Sequence, residues 1–145
     1  MLLNILIALV TFLFMEFMAW FTHKYIMHGF MWSWHRSHHS PRHGIFEKND
    51  LFAVTFSIPA VVLIYIGFDG FTIPFWIGLG ITAYGAAYMI FHDIIVHRRI
   101  KIGYKASSRY MKRIIRAHKI HHKHTEKEGA EAFGFLYASR KYDPK

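Results

Sequence analysis

Of the twelve histidines in this 145-residue chain, ten fall into four groups, and the groups come as two ordered pairs. His23-x4-His28 is followed by His35-x2-His38-His39, and His92-x4-His97 is followed by His118-x2-His121-His122. Neutral imidazole is the commonest side-chain metal ligand and suits zinc, copper, iron and nickel. Ten imidazoles are more than one ion can use, so the pattern points to a two-metal site. There is no cysteine. That excludes disulfides, thiolate zinc sites, iron–sulfur ligation by this chain and a cysteine nucleophile.

On an α-helix each residue turns about 100°. His35, His38 and His39 therefore project to one side, as do His118, His121 and His122, and each triplet can offer three imidazoles to a metal cluster. The x4 pairs differ. Residues five apart sit about 140° apart on an ideal helix, poorly placed to chelate one ion unless the helix is distorted. They could instead bridge the triplets or serve two ions. No single group has enough ligands, so the two halves of the chain must converge. A lone HxxHH in a basic helix is often only a solvated polar face; its repetition with the x4 pair, in the same order, favours metal binding. His43 and His124 fall outside the pattern and read as surface or supporting histidines.

The elements that must position these groups are membrane spans. The chain is 53% hydrophobic and carries a formal net charge of +9. Residues 2–21 are apolar except for Asn4, Thr11 and Glu16, and residues 51–68 and 71–91 contain no charge. Each is close to the roughly 20 residues that cross a bilayer. Asp69-Gly70 predicts a tight hairpin between the last two. Pro59 predicts a kink in the second, and Pro74 sits near the start of the third, where it is tolerated. The start of the chain has no basic n-region and reads as a retained helix rather than a signal or transit peptide. Lys and Arg are absent from residues 1–22 and 49–97; Lys24, Arg36, Arg42 and Lys48 lie between, and the rest begin at Arg98. The positive-inside rule then places 23–48 and 98–145 in the cytoplasm, with every histidine group on that side. Residues 106–123 predict an amphipathic interfacial helix, with Met111, Ile114, Ile115, His118, His121 and His122 on one face. The expected fold is all-α: one membrane-embedded domain over residues 1–145, a bundle of three transmembrane helices with a cytoplasmic helical cap carrying the histidine-rich two-metal site.

Two acids are candidate supports. Asp93 adjoins His92 and can accept a hydrogen bond from its imidazole, although an interfacial aspartate is the ordinary alternative. Glu16 lies within a span, where an ionisable group is a functional candidate or pairs with a polar neighbour. Glu47, Asp50, Glu126 and Glu128 are expected in solvent, and residues 140–145 as a frayed tail.

The boxes His23-Lys-Tyr-Ile-Met-His28, His35-Arg-Ser-His38-His39, His92-Asp-Ile-Ile-Val-His97 and His118-Lys-Ile-His121-His122 resemble those of the membrane fatty acid hydroxylase/sterol desaturase superfamily. Asn49-Asp50-Leu51-Phe52-Ala53, Phe91-His92-Asp93 and Phe133-Gly134-Phe135-Leu136-Tyr137-Ala138 resemble its bacterial β-carotene 3-hydroxylase branch, a likeness running from about residue 15 to 138. The resemblance implies two non-haem irons on the ten box histidines, dioxygen as co-substrate and a ferredoxin-type electron donor. It also implies hydroxylation at C3 of a carotenoid β-ionone ring, with β-carotene passing through β-cryptoxanthin to zeaxanthin, and keto-rings to astaxanthin in some relatives. A bacterial inner membrane is the implied location, with the carotenoid entering from the lipid and no nucleic acid partner. An unactivated C–H bond demands a redox metal, which zinc is not. Phe14, Phe17, Trp20, Phe133 and Phe135 are candidate pocket lining, each with the alternative of a lipid-facing or core aromatic. Competing readings are a fatty acid or sterol hydroxylase or desaturase of the same superfamily, and a non-catalytic metal-binding membrane protein or transporter. An intramembrane zinc protease lacks its His-Glu-x-x-His motif here.

Overall fold

The computed structural model describes residues 1–41, 44 and 46–144, and no strand occurs among them. His43 lies outside the described residues. Helix α1 spans Leu2–Phe21, a run without glycine or proline, and passes directly into a π-helical stretch, Thr22–Phe30. A short α2, Trp32–His35, follows. α3 spans Asp50–Gly67 and runs through Pro59 as one helix. A 3₁₀ turn at Asp69–Phe71 reverses the chain into α4, Ile73–Tyr88, which likewise passes into a π-helical stretch, Met89–Val96. α5 spans Arg109–His121, capped by the Ser108 hydroxyl, which accepts from the Met111 amide.

Among the described residues, three helices are long and apolar enough to cross a membrane: Leu2–Phe30, Asp50–Gly67 and Ile73–Val96. Two of them outrun the expected ends at residues 21 and 91. The histidine pairs do not terminate their helices; the helices widen and carry them. The third span begins at Ile73 rather than residue 71, because Gly70 and Phe71 take left-handed backbone and Thr72 is extended. α4 packs between α1 and α3. Glycines permit this closeness: a Cβ at Gly78 would lie 2.8 Å from the Ala60 carbonyl oxygen on α3, and one at Gly80 would lie 2.6 Å from that of Ala8 on α1. Small residues at such crossings are how membrane helices gain packing contact. The outward faces, including Leu9, Leu13, Val54, Ile58 and Val61, are exposed and apolar. That pattern suits lipid and not water.

The interior is two small clusters. Met15, Ala19, Tyr84 and Phe135 join α1, α4 and the C-terminal segment. Ile114, Ala117, Ala138 and Tyr142 join α5 to the end of the chain. The expected frayed tail is therefore corrected as far as residue 144. Arg140–Tyr142 forms a 3₁₀ turn, Tyr142 is buried, and Asp143 accepts from Arg113 at 2.6 Å. An apolar ring and a carboxylate aimed at α5 anchor what composition alone marked as polar.

Candidate metal centre

The histidines converge in two sets beyond the ends of the spans. Nitrogens of His23, His28, His35, His39 and His121 lie within 4.8 Å of one another, and so do those of His38, His92, His97 and His118. The x4 pairs each serve a single set. The π-helical turn makes this possible, because its hydrogen bonds run from residue i+5 to residue i. Such a bond joins the His97 amide to the His92 carbonyl at 2.9 Å, and another joins Met31 to Ile26 at 3.0 Å. Residues five apart are thereby brought round to one face.

The triplets, expected to act as units, are divided. His35 and His39 join the pair from their own half, while His38 crosses to the second set. His118 stays with its own half, while His121 crosses to the first. The two halves thus exchange their middle histidines. His122 occupies the place in its half that His39 holds in the other. Their rings stack at 4.5 Å and 19°. His122 also lies 4.5 Å from His118 and 4.7 Å from both His38 and His97, ring centre to ring centre. Its Nε2 is buried without a hydrogen-bond partner among the described residues. Position and orphaned nitrogen both fit a fifth donor for the second set.

Seven imidazoles are fixed through Nδ1. In the first set, His23 donates to the Phe133 carbonyl (2.9 Å), His28 to Lys127 (2.9 Å), His39 to His124 (2.8 Å) and His121 to Glu131 (2.9 Å). His35 donates to the Asn49 amide oxygen at 2.7 Å. In the second, His38 donates to the Glu47 carboxylate (3.2 Å) and His92 to Asp93 (2.8 Å). Every one of these acceptors needs the proton on Nδ1, so each Nε2 is a bare lone pair. Yet Nε2 faces Nε2 at 3.1 Å for His23–His35 and His35–His39, and at 3.2 Å for His121–His39 and His38–His92. No proton is left to lie between them. Lone pairs repel at that range unless a cation sits at their focus. With metal–nitrogen bonds of about 2.1 Å, neighbouring donors at right angles stand about 3.0 Å apart. The residues fit a metal ion in each set.

Burial keeps these groups unprotonated. It lowers the pKa of His35 to about 2, of His121 to about 3 and of His39 to about 4. Burial, and then the surrounding imidazoles, also push His38, His118 and His122 down. Neutral imidazole is the form that binds metal.

The supporting residues only partly match expectation. Asp93 meets His92 directly. Glu16 hydrogen-bonds no histidine among the described residues. Its Oε1 accepts from the amides of Phe135, Leu136 and Tyr137, each at 3.0 Å, and its Oε2 accepts from the Tyr84 hydroxyl at 2.7 Å. It clamps the segment whose carbonyls hold His23, His28 and His121. Removing the carboxylate strands three amide donors. Glu16→Ala is therefore expected to cost about 3 kcal/mol and lower the thermal midpoint by several degrees, while Glu16→Gln, which keeps an acceptor, stays near the parent. Circular dichroism of detergent-solubilised protein reads this, and an unchanged midpoint in Glu16→Ala would remove the clamp.

Glu47 and Asp50, expected in solvent, are not free there. Both pair with Arg99, at 3.6 and 2.7 Å, and the Glu47 side chain is only 11% exposed. Asn49, Arg99 and the carbonyls of residues 124–133 were invisible as site residues, since no spacing rule marks them. His124 contributes through its backbone, and its side chain is exposed. Among the aromatics, Phe17, Trp20 and Phe133 line an open groove of about 570 Å³. Phe135 instead stacks on His23 at 5.0 Å within the core, and Phe14 is exposed on α1.

Spans, paired histidine sets and sequence agree on the class: the chain belongs to the fatty acid hydroxylase family, whose model matches residues 8–139. Within it, the chain is 50% identical to the Beta-carotene hydroxylase of Pantoea ananas over 93% of this chain and 77% of that one. It is 47% identical to the Beta-carotene hydroxylase of Pseudescherichia vulneris over 99% of this chain and 81% of that one. It is 40% identical to the chloroplastic Beta-carotene 3-hydroxylase 2 of Arabidopsis thaliana, covering 89% of this chain and 43% of the plant protein. No solved structure matches the chain.

Proposed function

We propose that the chain hydroxylates C3 of carotenoid β-ionone rings, using two irons, dioxygen and electrons from a separate ferredoxin-type protein. One observation carries the reading: two buried sets of convergent histidine nitrogens close the ends of apolar spans in a chain 50% identical to a Beta-carotene hydroxylase. β-Carotene would pass through β-cryptoxanthin to zeaxanthin, and keto-rings would yield astaxanthin. The identity to carotenoid enzymes favours this substrate over fatty acids or sterols.

His23, His28, His35, His39 and His121 would hold one iron; His38, His92, His97 and His118 would hold the other, with His122 completing it. When bound, the metals supply the redox chemistry with dioxygen that an unactivated C–H bond requires. The protein supplies placement. Outward Nδ1 hydrogen bonds fix each tautomer and ring. Phe133 and Phe135 pack their rings against His23 at 5.4 and 5.0 Å and keep water from that flank. The groove between Leu13, Phe17 and Trp20 on α1 and Phe133 and Tyr137 suits lateral entry of an apolar ring from lipid. A second opening of about 480 Å³ reaches His38, His97, His118 and His122 from the side carrying Lys119. Dioxygen would approach there. The exposed Lys112, Arg116 and Lys119 on α5 suit an acidic electron carrier, since complementary charge speeds encounter. The crowding of basic residues beyond the spans supports a cytoplasmic site on a bacterial inner membrane.

Expression in cells that accumulate β-carotene, followed by chromatography and mass analysis, tests the reading. Products with one and two added oxygens are expected. Unchanged pigment beside expressed protein and a working donor would overturn the carotenoid assignment.

A further inference from the structure

The inner sets of donors are matched between the two halves, but their surroundings are not. Each imidazole of the five-histidine set donates to a neutral oxygen, four backbone carbonyls and the Asn49 amide. In the other set, His38 and His92 donate to carboxylates. One guanidinium holds both acids: Arg99 lies 3.6 Å from the Glu47 oxygen that accepts from His38, and 3.7 Å from the Asp93 oxygen that accepts from His92. It is fixed in turn by Asp50 at 2.7 Å and by its own amide, which donates to the Asp93 carbonyl at 2.9 Å. Among the described residues, three carboxylates face one guanidinium, so the acceptors beside this set are anionic while those of the other set are neutral. The cluster is largely screened from solvent, with the Arg99 side chain 15% exposed. Partly buried charges are screened less than exposed ones, so their field carries to the neighbouring donor set.

Resting on the two-iron reading above, we propose that the Glu47–Asp93–Arg99 cluster makes the two metal positions electrically unequal, so that the His38/His92 site holds the more oxidised iron of a half-reduced pair. A carboxylate on the far nitrogen of an imidazole makes it a stronger donor and stabilises higher metal charge. A carbonyl or amide does so less. With His122 counted, each set draws on five histidines, and the charge of their acceptors distinguishes the two.

Reductive titration of iron-loaded, detergent-solubilised protein, followed by Mössbauer spectroscopy and an iron count, tests this. The parent is expected to hold two irons and accept electrons in two separated steps. Asp93→Asn and Glu47→Gln should raise the lower-potential step alone. They should also weaken retention of one iron against a chelator by about 10–100-fold. Asn49→Asp, nearly isosteric, puts a carboxylate on His35 and should lower the other step alone. Two irons reduced together in the parent would overturn the inequality, as would all three variants moving the same step or none moving either. Fewer than two irons in the parent would instead overturn the two-iron reading, and this inference with it.

Discussion

His121→Ala is expected to abolish hydroxylation and to cost the protein the same iron that His23→Ala costs, although these residues lie in opposite halves of the chain. His121 is fully buried, and its Nε2 lies 3.2 and 3.3 Å from those of His39 and His28. Its removal also leaves the Glu131 carbonyl without its donor. His38→Ala should correspondingly match His92→Ala. The checks are product analysis, an iron count and the Mössbauer signature of the remaining metal. Variants should sort as His23, His28, His35, His39 and His121 against His38, His92, His97 and His118, with His122 in the second class. If His121→Ala shared its spectrum with His118→Ala, each triplet would serve its own half and the crossing would be wrong. His124→Ala should retain activity, because that residue lends only its backbone.

Metal removal is expected to destabilise the whole end of the molecule, not merely silence it. Metal-free, the protein must keep bare imidazole nitrogens 3.1–3.2 Å apart at four contacts in a buried space. An ion at each focus turns repulsion into bonds, and structural metal sites contribute on the order of 10 kcal/mol to folding. Chelation should therefore lower the thermal midpoint sharply and abolish activity together. Ferrous iron should restore both. Zinc should restore the midpoint and leave activity absent, because it fills the same donors without redox chemistry. An unchanged midpoint after verified metal loss would show that helix packing alone carries the site. Activity with zinc would exclude a redox role.

Much of this was legible in the residues. Apolar runs located all three spans, and the ordered histidine groups identified the ligand candidates and required the halves to meet. What stayed hidden follows from what spacing can encode. Ideal α-helical geometry sets His23 against His28 and His92 against His97; only a distorted helix reunites them, and spacing does not reveal the π-helical widening that does so. The same geometry grouped each triplet on one face. Residues on one face can still join two adjacent sets of donors, which is how His38 leaves His35 and His39. Glu47 and Asp50 read as solvated because their partner, Arg99, arrives from the far side of two spans. Glu16 stood out as an acid within a span, but its partners are backbone amides more than a hundred residues away, which no side-chain pattern announces.

The four carbonyls that brace the first histidine set, from residues 124 to 133, have a consequence for how the protein comes into being. His23 and His28 emerge early in synthesis, but their braces lie 110 and 99 positions later. Loops of that length close slowly and only after the intervening hairpin of spans exists. A nascent chain thus carries its first histidines long before the carbonyls that orient them exist. The first donor set therefore takes its observed geometry only once residues 124–133 have been made.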